Sequence, residues 1–254
     1  MKKVLKRMLG PSVWARLKTA RHRPDLLLPL RARKSSYGFL LSGNASDQTY
    51  QLALSSSYGD YISNFIRDLP SNAAFLDIGA NVGIFSLIAS KHLSAGRVLS
   101  FEPNVDVFTY LVKNLQQNGC TNVTPLNMAL TDGKARLVNL HLQAYHSGRN
   151  SLEFGGDRTV SVLAVPGGIV GDLIEPSSKI AVKLDVEGHE LSVLRGLAAS
   201  PVLSRVHWMV IEVSEPTIGA EGARNLHEFL TQSGFVRASR SSAALHRDEI
   251  YIRP

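Results

Sequence analysis

Three groups of residues have the types and spacing to do chemistry. The first is Asp77-Ile78-Gly79-Ala80-Asn81-Val82-Gly83, which follows a short apolar run and precedes an amphipathic one. Glycines at 79 and 83 admit backbone angles closed to other residues and let a ligand approach the main chain. Asn81 is a residue type that tolerates the left-handed region. The second is Glu102-Pro103-Asn104, with Glu102 nineteen residues after Gly83. That is close to the separation at which an acid accepts two hydrogen bonds from a ribose diol in nucleotide-binding folds. The third is Asp185-Val186-Glu187-Gly188-His189-Glu190, four ionisable groups at the end of an apolar run. Carboxylates at a helix start are favourable for stability alone, which accounts equally well for Glu187 and Glu190. Asp185 is costly to bury without a partner. His189, and after it Glu187, have the chemistry to take a proton from an alcohol near neutral pH; an ordinary surface histidine is an equal reading of His189.

The elements that must position these groups follow from hydrophobic pattern. Short apolar runs at 73–78, 97–101, 123–128, 180–186 and 206–213 alternate with amphipathic runs at 84–92, 105–117, 190–197 and 220–232. This rhythm predicts right-handed βαβ units, a parallel sheet covered on both faces, and ligands at the carboxyl ends of its strands. Residues 235–239 and 249–252 predict a closing hairpin. Glycine-rich alternation over 132–170 predicts strands and loops inserted beside the sheet. Leu52 and Leu54 predict a short strand ahead of a helix over Tyr61 to Leu69.

Composition narrows the possibilities. With 254 residues, 44% hydrophobic and 19% charged, the chain suits one α/β domain over about 46–254, preceded by an extension over 1–45. No run approaches the length of a membrane span. The basic start lacks an apolar core, so no export signal is read. The single cysteine, Cys120, excludes a disulfide framework and fits a reducing cytoplasm. Residues 1–37 carry +10 and the rest −3, which argues against a nucleic-acid substrate. Within the arm, Val4, Leu5, Met8, Leu9, Val13, Trp14 and Leu17 recur at helical spacing among Lys and Arg. Packing on the core explains them, and so does peripheral contact of residues 1–34 with an anionic membrane.

The loop reads G-x-N-x-G, not the G-x-G-x-x-G that fits a pyrophosphate. With the blocks Phe101-Glu-Pro-Asn104, Asn127-Met-Ala-Leu-Thr-Asp-Gly133, Asn150-Ser-Leu152, Lys183-Leu-Asp-Val-Glu-Gly-His-Glu190 and Ile211-Glu-Val213, the chain resembles the FkbM-type methyltransferases over about residues 72–213. The resemblance implies a class I, Rossmann-like α/β fold: a doubly wound, mostly parallel seven-stranded sheet with a terminal antiparallel strand. It implies S-adenosylmethionine as methyl donor and a hydroxyl acceptor on a small molecule or glycan. Carried over, Asp77, Gly79, Ala80, Asn81 and Gly83 cradle the methionine part. Glu102 with Pro103 holds the ribose, Met128 and Ala129 lie by the adenine, and Asp185 faces the sulfonium and acceptor. No resident metal is expected, although Asp185, Glu187 and His189 form an oxygen-rich set. An NAD-dependent oxidoreductase and a non-catalytic cofactor-binding module remain the alternatives.

Overall fold

The computed structural model describes residues 32–58 and 60–254. The Val4-to-Leu17 stretch, on which the membrane-contact expectation rests, lies outside them. In chain order the elements are β1 (Arg33–Lys34), β2 (Leu40–Leu41), α1 (Gln48–Ser55), α2 (Tyr61–Arg67), β3 (Ala74–Ile78), α3 (Ile84–His92), β4 (Val98–Phe101), α4 (Val105–Gln117) and β5 (Val123–Leu126). Then come β6 (Ala129–Thr131), β7 (Arg136–Leu142), β8 (Arg158–Pro166), α5 (Val170–Leu173), β9 (Ile180–Leu184), α6 (Glu190–Ala198), β10 (Val206–Ser214), α7 (Glu215–Gln232), β11 (Val236–Arg240) and β12 (His246–Ile252).

Seven strands form one sheet in the order β11-β12-β10-β9-β3-β4-β5. β3 pairs in parallel with both β4 and β9, so the chain winds one way to β5 and returns on the other side of β3. The switch point therefore lies between β3 and β9, where a crevice opens outside the strand ends. β12 closes the sheet antiparallel to β10 and to β11. Successive residues of β3 feed opposite faces: Phe75 packs with Ile84, Leu87 and Leu111, while Ala74 and Leu76 pack with Val193, Leu194 and Leu226. Every residue of β3, β4 and β9 is buried, as strands covered on both faces require. Among the described residues no helix is long and apolar enough to cross a membrane.

The structure corrects two local expectations. Gln48–Ser55 is a helix, not a strand. Asp47 Oδ1 accepts from Tyr50 N at 2.9 Å, an N-cap, and Tyr50, Ala53 and Leu54 bury one face; the alternation of Leu52 and Leu54 was a weaker signal than the cap. The strand expected over 123–128 stops at Leu126. Asn127 donates its side-chain amide to the carbonyls of Glu102 and Pro103, which ends β5, and β6 then pairs with β8 in a separate sheet. Of that small sheet, β6-β8-β7, strands β7 and β8 are the predicted insertion, and the loop between them over 143–157 reaches across the carboxyl ends of the main strands.

Candidate functional site

At the end of β3 the chain turns through positive φ at Gly79 (82°), Asn81 (50°) and Gly83 (89°). A side chain at 79 is excluded twice over, since a Cβ there would lie 1.8 Å from the carbonyl oxygen of Asp185. Asp77 points inward, fully buried, and accepts from Ser86 Oγ at 2.5 Å. Asn81 N donates to Glu102 Oε2 at 3.0 Å and Asn104 N to Glu102 Oε1 at 2.8 Å. Each oxygen of this buried carboxylate retains acceptor capacity. Burial pushes Glu102 up to about 7, against the two backbone N–H groups that pull it down. Gly79, Ala80, Asn81, Glu102, Pro103, Met128 and Ala129 all line one cavity of about 800 Å³. Asp77 and Gly83 shape the loop from behind.

The opposite wall comes from β9 and β10. Lys183 stands beside Asp77 in register and is 3% exposed. Its Nζ lies 2.8 Å from Gly79 O, 3.1 Å from Asp185 Oδ2 and 3.8 Å from Asp77 Oδ1. Burial alone lowers the affinity of this amine for its proton, but Asp185 and Asp77 outweigh it and the net shift is upward. Beyond β9 the turn puts Glu187 at φ 52°. Glu190 accepts from Val186 N and Gly188 N, and Ser151 Oγ donates to Glu187 O at 2.7 Å, so the turn is fixed from both sides. Carboxylate oxygens of Asp185, Glu187 and Glu212 lie within 4.8 Å of one another. Burial first, and then Asp185 and Glu190, push Glu187 up to about 8; burial and Asp185 raise Glu212 strongly as well.

Of the catalytic candidates read from the sequence, Asp185 and Glu187 are thus brought together. Their third neighbour is Glu212, not His189. His189 lines the same cavity, but its Nδ1 is 2.6 Å from Glu153 Oε1 and its Nε2 is buried with no partner among the described residues. Glu212 lies within the Ile211-Glu-Val213 block; an acid in an otherwise apolar strand run was the available signal. Glu153 and Arg149 had none, because both sit in the loop of the insertion. Of the two insertion histidines, His146 lines the cavity and bonds Thr49 Oγ1 through Nδ1 at 3.2 Å, whereas His141 bonds Thr159.

The insertion is tied to the glycine loop. Asn81 Nδ2 donates to Ser147 Oγ at 3.0 Å, Ser147 N and Oγ donate to Asp47 at 2.7 and 3.0 Å, and Gly148 N donates to Thr49 Oγ1 at 2.8 Å. Thus α1, the loop after β3 and the insertion form one connected rim.

A family model described as the methyltransferase FkbM domain matches residues 77–237. The chain is similar to the hexuronic acid methyltransferase AglP of Haloferax volcanii, at 24% identity over 98% of this chain and 96% of that one. It is also similar to the methyltransferase sdnD of Sordaria araneosa, at 29% identity over 60% of this chain and 70% of that one. Among solved structures, a precorrin-6y C5,15-methyltransferase from Geobacter metallireducens is 12% identical, with 89% of this chain and 100% of that chain covered and a TM-score of 0.48.

Proposed function

Because the chain belongs to the FkbM methyltransferase family, we propose that it transfers a methyl group from S-adenosylmethionine to a hydroxyl of a sugar or glycan acceptor. The observation that carries this reading is the pairing of two unlike walls on one cavity: a glycine loop with a diol-accepting carboxylate, and a cluster of three further carboxylates. Family membership displaces the nicotinamide alternative.

The cradle fits the cofactor. Gly79 lets the turn close against the Asp185 carbonyl and lines the cavity, Glu102 has lone pairs for a ribose diol, and Met128 and Ala129 offer an apolar surface for a base. When bound, the cofactor supplies a methyl group already activated by the positive charge on sulfur. The chain then has to align the acceptor and remove a proton. Glu187 is the proton acceptor of this reading, since its raised affinity for a proton matches a base working near neutral pH. Asp185, held by Lys183, accepts a hydrogen bond from a neighbouring hydroxyl of the acceptor and so orients the reacting one. His189, fixed by Glu153, shapes the wall beside them.

Three carboxylates favour a hydroxyl over an anionic nucleophile, because a hydroxyl donates to them and an anion is repelled. The relative named for hexuronic acid supports a sugar acceptor. Incubation with radiolabelled S-adenosylmethionine and a panel of sugar acceptors is expected to give an alkali-stable methyl ether. An alkali-labile ester would overturn the hydroxyl assignment, and failure of well-folded protein to bind the cofactor would overturn the reading itself.

One consequence concerns pH. Glu102 accepts the diol best as an anion, and the group titrates at about 7 in the free protein. Cofactor affinity is therefore expected to rise with pH up to about 7, by at most about tenfold per unit, and to level off above it. Calorimetric titrations at a series of pH values should show this slope, and the Glu102→Gln variant should show none.

A further inference from the structure

Five cationic or potentially cationic side chains line the cavity: Lys183, His146, His189, His246 and Arg149. Four have partners. Lys183 is held by Asp77, Asp185 and Gly79 O; His189 by Glu153; His246 lies 3.3 Å from Glu212; and His146 bonds Thr49. Arg149 makes no side-chain hydrogen bond or ion pair with any described residue, although its charge is felt at Glu187. A guanidinium is planar, permanently charged and presents a fork of donors matched to a carboxylate.

The base from which Arg149 projects is rigid. It ends the 3₁₀ turn Ser147–Arg149, whose other two residues are bonded to Asp47, Thr49 and Asn81. Gly148 packs so closely on Thr49 that a Cβ would meet Oγ1 at 2.8 Å. The turn therefore holds its register, and the cavity presents two kinds of charge: a cluster of carboxyl groups beside one wall and an unpaired guanidinium on the insertion. Arg149 is exposed, so a neutral sugar whose hydroxyl reaches Glu187 leaves that guanidinium to solvent alone. A sugar that also bears a carboxylate completes it with two parallel charge-assisted hydrogen bonds.

We infer that Arg149 receives a carboxylate of the acceptor, which makes the preferred substrate class a uronate or a glycan ending in one. The inference rests on the methyltransferase reading and adds a specificity residue to it. S-adenosylmethionine also carries a carboxylate, so the experiment separates the two sources. S-adenosylhomocysteine is titrated into the wild type, Arg149→Gln and Arg149→Lys. Methyl β-D-glucuronide and methyl β-D-glucoside, which differ only in the carboxylate, are then titrated into each protein saturated with S-adenosylhomocysteine.

The expected result is unchanged S-adenosylhomocysteine affinity in all three proteins, with glucuronide binding weakened about 10- to 100-fold in Arg149→Gln and less in Arg149→Lys. The glucoside should bind weakly and equally throughout. Loss of S-adenosylhomocysteine affinity in Arg149→Gln would show that the residue serves the cofactor and overturn the inference. Glucuronide binding that is absent from the loaded wild type, or is indifferent to the substitution, would overturn it too while leaving the methyltransferase reading intact. A wild type that binds no S-adenosylhomocysteine would remove both.

Discussion

Replacing Lys183 by methionine is expected to lower the unfolding free energy by about 3–5 kcal/mol. The reason is what the substitution leaves behind. Asp77 is fully buried, and apart from Ser86, whose Oγ and backbone N–H both favour the anion, its compensation comes from the Lys183 ammonium, 3.8 Å from Oδ1. That oxygen has no hydrogen bond of its own among the described residues. Methionine fills much of the space but brings no charge, so the carboxylate must take up a proton or draw in water, and either route costs stability. The same change strips Gly79 O of its 2.8 Å donor and frees Asp185, which couples the stability loss to the glycine loop. Urea denaturation measures the difference. The double variant Asp77→Asn with Lys183→Met should recover part of it, because neither member of this buried pair is then charged. A loss below about 1 kcal/mol in the single variant would mean that Asp77 is not held as an anion by Lys183.

The second large effect is catalytic. Glu187→Gln is expected to reduce kcat by about 10²- to 10⁴-fold, the range supplied by a positioned general base. Glutamine keeps the size of the side chain, the structural bond from Ser151 is to the backbone carbonyl, and Glu187 is only partly buried, so the fold should be little affected. The pH profile provides the sign. Burial and the neighbouring carboxylates Asp185 and Glu190 place Glu187 at about 8. A base acts in its deprotonated form, so kcat/KM for the acceptor should rise as pH increases through about 8 and then level off. In Glu187→Gln this limb should vanish and leave a low, flat residual rate. A variant that retains the limb would transfer the role to another group, with His189 first in line because its Nε2 is free of partners among the described residues.

Much of the proposed cofactor side was legible in the sequence. Asp77, Gly79, Asn81 and Gly83 belong to one continuous turn, and the constraint they meet is local: positive φ at three positions and the start of α3 immediately after. Glu102 was readable because the βαβ rhythm fixes its place at the end of the adjacent strand. In β3 and β9 the apolar runs reported their own environment, since strands covered on both faces leave little room for polar residues. Local pattern failed where a stronger local interaction competed with it. At Gln48–Ser55 the Asp47 cap and a buried helical face prevailed over a two-residue alternation.

The proposed acceptor side was decided by tertiary structure. Asp185 and Glu187 become neighbours of Glu212 only because β9 and β10 pair in a particular register, and nothing in the 25 residues from Glu187 to Glu212 announces that register. Glu153 meets His189, and Ser151 meets the carbonyl of Glu187, across 36 residues and through an insertion whose loop has no periodicity of its own. The sequence by itself determined the sheet, the glycine turn and the acid that accompanies it, since backbone angle and hydrophobic period act between near neighbours. Which charges face one another across the cavity, and which guanidinium is left unpaired, depends on side chains that only folding brings within hydrogen-bonding distance.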